Sequence, residues 1–522
     1  MALVRHSRLC FVLLAVLPVA LRLALLAHHP VPTPQIHDEF SHLLAADTLA
    51  HFRLANPAHP LSQFFETIYV LQKPTYSSIY AIGQGLALAA GQVLFGLPWT
   101  GVVLSGAALC ALCYWMLRGW TSPGWALLGG VFAVVQFGPL CVWTNTYWGG
   151  AVSACAGCLV FGALPRLRAL GRLRDAALLG LGFSLQMLSR PFESIPMALA
   201  ILIFFPPEFR SLARFRKPAL VAALALIPGV ALTLLHDSRV TGSWSTLPYA
   251  LSRYQYGVPT TFTFQPVPQP HVPLTREQII AWRIQSWTHG TAGETPARYL
   301  RRFVSRLRFY RFYFSPVLLF VLPAALLAFA EFRFAWLAVT LLLFALADNF
   351  YPFFFPHYVA AIACLCILLA VTALERIARF TPRGSVIVAA LALAWFAVCY
   401  SAHFFDDSRL ALSLRSYESF AGVNHDTPNG RVSVLGRLAQ IPGKLLIFVS
   451  YGGRHRVTEE WVYNAADIDA SRIVWARDLG PAENEKLFRY YPDRNAWRLD
   501  PDAAPPSLTP YIAATESNRS SP

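Results

Sequence analysis

The chain is short of charge. Only 14% of its 522 residues are Asp, Glu, Lys or Arg, and just 28 are acidic. With 55% hydrophobic residues and a mean hydropathy of +0.45, it has too little polar surface to wrap so much apolar chain in water. A disordered chain, a fibrous repeat and a freely soluble enzyme are excluded, which leaves an integral membrane protein. Cysteine is missing from the long polar segments. All nine (Cys10, Cys110, Cys113, Cys141, Cys155, Cys158, Cys364, Cys366 and Cys399) lie in or beside apolar stretches, so no structural disulfides are expected there. Cys110/Cys113 and Cys155/Cys158 have CxxC spacing without a nearby His or acid, and read as packing residues. There is no Walker-type loop and no GxGxxG after a strand, so no nucleotide site is offered. No inverted internal repeat of the transporter kind is visible.

Base is in excess: 43 Lys+Arg give a net charge of +15. The bases sit in short clusters between apolar runs, which points to the positive-inside pattern and acidic headgroups rather than nucleic acid. Arg5, His6 and Arg8 precede an apolar run over 9–27 with no small-residue cleavage site, an uncleaved first span with its N-terminus in the cytoplasm. Further runs of spanning character cover roughly 99–117, 124–142, 149–164, 176–189, 193–207, 218–236, 315–330, 334–347, 357–374 and 385–402. One more, 77–96, decides the topology. If it crosses, the clusters at Arg118, 166–174, 210–217, Arg333 and Arg376/Arg379/Arg383 all fall outside; if it does not, all are cytoplasmic. Gln84, Gln92, Gly83, Gly85 and Gly91 suit an interfacial or re-entrant helix. The expectation is an α-helical polytopic membrane protein of about eleven spans, N-terminus in and C-terminus out.

That topology divides the chain into a membrane domain, 1–402, and an outer tail, 403–522. The membrane domain carries two large outer loops, 28–98 with amphipathic helices and 237–315. The tail reads as a small α/β domain, with strands over 444–450, 472–476 and 495–499, a helix over 482–490, and fraying from Ala503. Trp461, Trp475 and Trp497 with Tyr463, Tyr490 and Tyr491 read as the tail's core or as a sugar-facing surface, with core the simpler reading.

Chemistry concentrates at His37, Asp38, Glu39 and His42, about ten residues after the first span. Beyond Pro30, Pro32 and Pro34, Asp38 can open a helix to about Leu54 with Phe40, Leu43 and Leu44 facing the bilayer. Asp38 and His42 are then one turn apart on one face. Asp38 reads either as a helix cap or as a carboxylate base at the outer rim of a membrane cavity. Gln72, Lys73 and Pro74 then lead into 77–96.

An acidic pair after the first span, an amphipathic helix and a Lys-Pro stretch entering an apolar segment resemble the GT-C glycosyltransferases. The nearest groups in that likeness are the bacterial relatives of protein O-mannosyltransferase and the lipid A aminoarabinose transferase. The resemblance covers roughly the first 380 residues by layout. It implies an inverting enzyme at the outer face of the bacterial cytoplasmic membrane, with the tail periplasmic. The donor would be a polyprenyl-phosphate sugar and the acceptor a lipid, glycan or protein hydroxyl. Asp38 maps onto the family's catalytic base, with Glu39 beside it and His42 one turn on. Arg190, ending the segment 182–190, maps onto the basic residue that meets donor phosphate, with Lys73 and His357 as further candidates. His357 and Tyr358 sit where relatives place a basic residue and a Tyr near the lipid carrier. Asn145 stands where many relatives have another Asp; it can hydrogen-bond but cannot act as a base. Some members use a divalent ion, and His28, His29, His37, Asp38, Glu39 and His42 could supply an oxygen/nitrogen site, but their spacing matches no metal motif and no metal is assigned. Two other readings remain at this stage: a lipid or polysaccharide transporter, and an O-antigen ligase or polymerase. The first would carry acids or broken helices at mid-membrane, and the second would lack the early acidic pair.

Overall fold

The computed structural model describes residues 6–205, 212–290, 293–405 and 430–511. Its first helix, α1 (Ser7–Ala24), is released by the prolines at 30, 32 and 34 into α2 (His37–Ala50). Among the described residues, six helices are long and apolar enough to cross a membrane: Ser7–Ala24, Pro98–Leu117, Ala151–Leu170, Phe215–Thr241, Pro356–Phe380 and Pro382–Phe404. Other expected spans are shorter, as in Pro123–Phe137 and Ser194–Phe204. The expected span over 315–330 is not one helix. Pro316 and Pro323 each start a short piece, Pro316–Leu319 and the 3-10 turn Leu322–Ala328, because proline is accepted only in a helix's first turn.

The doubtful run 77–96 becomes α3 (Gly83–Phe95), whose 13 residues rise about 20 Å against an apolar bilayer core of about 30 Å. It folds tightly onto Pro98–Leu117: a Cβ on Gly91 would stand 2.3 Å from the Gly101 amide nitrogen, so only glycine allows this approach. The polar residues of the run are occupied. Gln84 donates to the Tyr147 carbonyl and Gln92 to Asp47 Oδ1.

Arg166, Arg333 and Arg376, from the basic clusters between the apolar runs, gather at one end of the bundle. Arg166 donates to the Trp115 carbonyl, Arg333 to the Trp120 carbonyl, and Arg376 pairs with Glu331. The opposite end carries α2, a small sheet and the tail. That sheet has the order β1–β3–β2 from β1 (Asn56–Pro57), β2 (Val70–Leu71) and β3 (Thr75–Ser78), all antiparallel. Ser41 binds α2 to it, donating to the Tyr69 carbonyl at 2.7 Å and meeting Ser78 Oγ at 2.8 Å.

The tail sheet runs β5–β4–β6–β7, with β4 (Lys444–Val449) parallel to β5 (Ile473–Arg477) and β6 (Arg494–Asp500), and β7 (Ser507–Pro510) antiparallel at the edge. A helix, Pro481–Tyr490, joins β5 to β6 as expected from the sequence. The expected fraying from Ala503 is replaced up to Pro510 by β7; residues beyond 511 lie outside the described ones. Phe40 and Leu44 do not face the bilayer. They form one buried cluster with Phe64, Val70, Leu446, Phe448 and Tyr463, so the tail sheet is the cover of α2. Phe40 stacks on Tyr463 at 4.4 Å with the rings 8° apart.

Arg477 fastens this cover. It is buried, pairs with Glu277 of the 237–315 segment, donates to the Glu66 carbonyl of the 28–98 segment, and lies 3.7 Å from Glu460. Removing one partner of a buried pair strands the other charge, so Arg477→Ala should cost about 3–5 kcal/mol. Limited proteolysis should then release the tail from the membrane portion, and an unchanged cleavage pattern would contradict this fastening role.

Candidate active site

At the first turn of α2 the two neighbouring acids part company. Glu39 folds back on its own helix start: Oε2 accepts the amides of Gln35 (2.7 Å) and Ile36 (3.3 Å), while Oε1 accepts the amide of Tyr147 (3.0 Å). It is 3% exposed, and its carboxylate is consumed by backbone donors. The sequence offered Glu39 as a catalytic residue; the structure gives it the work of capping α2 and fixing the 146–150 loop. Glu39→Gln, which sets an amide NH2 against a backbone N–H, should cost about 1–3 kcal/mol of stability in a denaturation series. Transfer by the folded fraction should survive.

Asp38 points elsewhere. Its Oδ1 accepts the Tyr80 hydroxyl, and the side chain keeps part of its surface open. Burial pushes its carboxyl pKa up from the usual range, and the Tyr80 hydroxyl and Trp148 indole oppose that shift by bonding the ionised form. Tyr80 arrives through β3, two residues beyond Ser78. His42 stacks on the Tyr80 ring at 4.5 Å; it is buried, and its Nδ1 has no hydrogen-bond partner among the described residues. Burial, with Arg190 nearby, lowers its pKa to about 3 and keeps the imidazole neutral.

Arg190 caps the helix Leu173–Ser189 and reaches the same pocket. Its Nε and Nη2 donate to Glu193 Oε1 at 2.8 and 2.6 Å, and its guanidinium lies over the Tyr358 ring at 4.4 Å. Nη1 makes no hydrogen bond among the described residues. Tyr249, from the helix Pro248–Tyr256, senses both ends: burial pushes it up to about 12, Arg253 and Arg190 oppose, and Asp38 adds to the shift. Tyr358 likewise lies in the fields of Arg190 and Asp38. His357, beside Tyr358, packs on Trp148 at 4.7 Å. Asp38, His42, Arg190, His357 and Tyr358 therefore share one aromatic-lined cluster. Behind Arg190, the buried Asp348 carboxylate lies within electrostatic reach of Glu193, Arg190 and Arg306.

Two sequence candidates are not brought there. Lys73 is exposed; its carbonyl accepts from Gln255 and its charge acts on Glu66, with β3 separating it from Tyr80. Asn145 is buried, and both ends of its amide are taken: Oδ1 accepts Arg22 Nε at 2.8 Å, and Nδ2 donates to the carbonyls of Pro139 and Cys141. Arg22 lies inside the first apolar run, where a lone guanidinium gives no periodic signal. It also donates to the carbonyls of His29 and Pro30 and stacks over Trp99 at 4.7 Å, bracing the turn that aims α2. Glu193, three residues after Arg190, carried a visible signal, the i,i+3 ion-pair spacing. Tyr80, Trp148 and Tyr249 carried none.

The six side chains considered for a metal do not converge. Glu39 is spent on amides, His37 Nδ1 meets the Tyr463 hydroxyl at 3.3 Å, and His29 Nε2 meets the His403 carbonyl at 2.9 Å. Among the described residues, no three His, Cys, Asp or Glu side chains form a group that could hold a metal ion. No step is derived through one.

No family model and no curated protein matches the chain. Solved structures do. The crystal structure of ArnT from Cupriavidus metallidurans in the apo state aligns with 93% of this chain and 92% of its own at a TM-score of 0.51. The same protein bound to undecaprenyl phosphate aligns over the same shares at 0.50, and both are 11% identical to this chain. The chain shares the fold of these ArnT structures. AglB from Archaeoglobus fulgidus, in complex with an inhibitory peptide and a dolichol-phosphate, aligns more loosely: TM-score 0.43 at 11% identity over 95% of this chain and 69% of that one. At such identities the GT-C likeness gives architecture, and the residue roles rest on the geometry above.

Proposed function

We propose that this protein transfers a sugar from a polyprenyl-phosphate donor to an acceptor hydroxyl at the outer face of the cytoplasmic membrane. The observation that carries the reading is the convergence of a partly open carboxylate, Asp38, and a guanidinium, Arg190, on one tyrosine-lined cluster. That cluster lies at the end of the bundle opposite its basic loops. The positive-inside rule sets the basic end in the cytoplasm and the cluster outside. ArnT, of the same fold, has been crystallised with undecaprenyl phosphate.

Asp38, ionised, takes the proton of the acceptor hydroxyl, whose oxygen attacks the anomeric carbon. The bond from that carbon to the phosphate oxygen breaks, and its electron pair leaves with the polyprenyl phosphate. The leaving phosphate gains one negative charge, which Arg190 faces, and the proton ends on Asp38. His42, held neutral, adds no competing charge. The resemblance implies inversion at the anomeric carbon.

The test incubates the reconstituted protein with a panel of radiolabelled polyprenyl-phosphate sugars and follows free polyprenyl phosphate. Wild type should consume at least one donor, and Asp38→Asn none. Labelled lipid crossing proteoliposomes without consumption would replace this reading by the transporter. The acid limb of the rate profile should lie above the ordinary carboxylate range, because the base must be ionised and burial raises its pKa. Tyr80→Phe removes a hydrogen bond to the ionised form, so the limb should move to higher pH. Movement to lower pH would contradict Asp38 as the titrating group.

A further inference from the structure

The helix Pro296–Arg306, in the second outer loop, has three faces. One is bound to protein: Arg302 Nε donates to the Asn349 carbonyl at 2.7 Å, and Arg306 donates to the carbonyls of Asp348 (3.1 Å) and Pro352 (2.9 Å). The second is apolar and exposed, with Leu300 61%, Val304 58% and Leu307 51% open at helical spacing. The third is cationic and exposed, with Arg298 and Arg301, and Arg308 follows two turns beyond Arg301, at the start of the 3-10 segment Leu307–Tyr313. From Thr295 to Ala330 the chain has six arginines and no acid. Of the acids beside this helix, Glu294 is spent on Arg302 at 2.7 Å, and Asp348 lies on the protein-bound face with Arg306.

Its place in the fold gives its depth. The protein-bound face holds the C-terminal carbonyls of the apolar helix Phe332–Asp348, the end that shares the pocket's side of the bundle. Ten residues on, the chain enters Pro316–Leu319 and then Leu322–Ala328, where Phe320, Leu326 and Leu327 are also wide open. A helix of this build at this level has its apolar strip toward acyl chains and its arginines at headgroup height.

We propose that Pro296–Arg306 is an in-plane anchor of the outer leaflet: Leu300, Val304 and Leu307 enter the acyl region, and Arg301 and Arg308 hold anionic phospholipid headgroups. The partner is a bilayer surface, and charge complementarity selects anionic lipid. The proposal rests on the membrane placement of the apolar helices and not on sugar transfer. Since Arg302 and Arg306 on the same helix hold residues 348–352, the anchor also steadies the segment that leads to His357 and Tyr358.

All nine native cysteines are buried, so a cysteine introduced on the full-length chain takes a thiol-reactive fluorophore selectively. In vesicles of phosphatidylcholine with phosphatidylglycerol, a label at Leu300→Cys should be quenched by brominated acyl chains and shielded from aqueous iodide. A label at Phe320→Cys reports membrane placement itself. If Phe320 is quenched and Leu300 is open to iodide, the anchor is overturned while the membrane reading stands; if neither is quenched, both fall. Retention of fluorescent phosphatidylglycerol in detergent should drop about fivefold for each of Arg301→Gln and Arg308→Gln, and about thirtyfold for the pair. Neutralising Lys486 and Arg489 in the tail, which are exposed and already paired with Glu483 and Glu485, should leave it unchanged. Equal retention by wild type and the Arg301/Arg308 pair would overturn the headgroup role.

Discussion

Asp38→Asn should lower sugar transfer by roughly a hundredfold to ten-thousandfold, the usual share of a positioned general base. The amide keeps the size of the side chain and can still accept the Tyr80 hydroxyl, so the variant should insert and fold like wild type. The fall should appear in kcat with donor binding nearly intact, since the proposed role of the carboxylate is at the acceptor proton. Donor affinity by titration calorimetry, beside turnover, separates the two. Turnover near wild type would remove Asp38 from the chemistry and leave α2 with a cap only.

Arg190→Gln should cost about a hundredfold to a thousandfold in transfer, as expected when a preorganised donor to developing charge is removed. It carries a structural penalty as well, because Glu193 is 1% exposed and would lose the guanidinium that holds it. The double variant Arg190→Gln/Glu193→Gln separates these effects. It should regain thermal stability but not activity. If the double variant also regained transfer, Arg190 would be a structural partner of Glu193 and the phosphate would be met elsewhere.

The site is legible in the sequence where local geometry decides. Asp38 and His42 are one helical turn apart, and Arg190 is marked by the end of an apolar helix; both inferences need only helix periodicity. What long-range folding supplies is not legible. Tyr80 meets Asp38 because β3 pairs with β2 in one register and Ser78 is held against Ser41, a fact that no window around residue 80 contains. Asn145 became a candidate because relatives of the resembled family carry an Asp there, and its contact with Arg22 was illegible, since a single guanidinium barely changes the mean hydropathy of the run around it. Phe40 and Leu44 have the pattern of a lipid-facing strip. Their partners are supplied by the tail some four hundred residues away, and apolar periodicity gives a face without saying what covers it. The run 315–330 misled for the opposite reason, since composition predicts a span while Pro316 and Pro323 divide the backbone.

The cover over α2 also has a consequence in time. Phe40 packs on Tyr463, and the β4 strand behind it is completed on both sides only after β6 has been synthesised. While the ribosome is still extending the chain, the segment that bears Asp38 therefore lacks its lid. On the proposed function, a chain that has not yet reached β6 carries its base uncovered, and transfer competence follows the tail sheet.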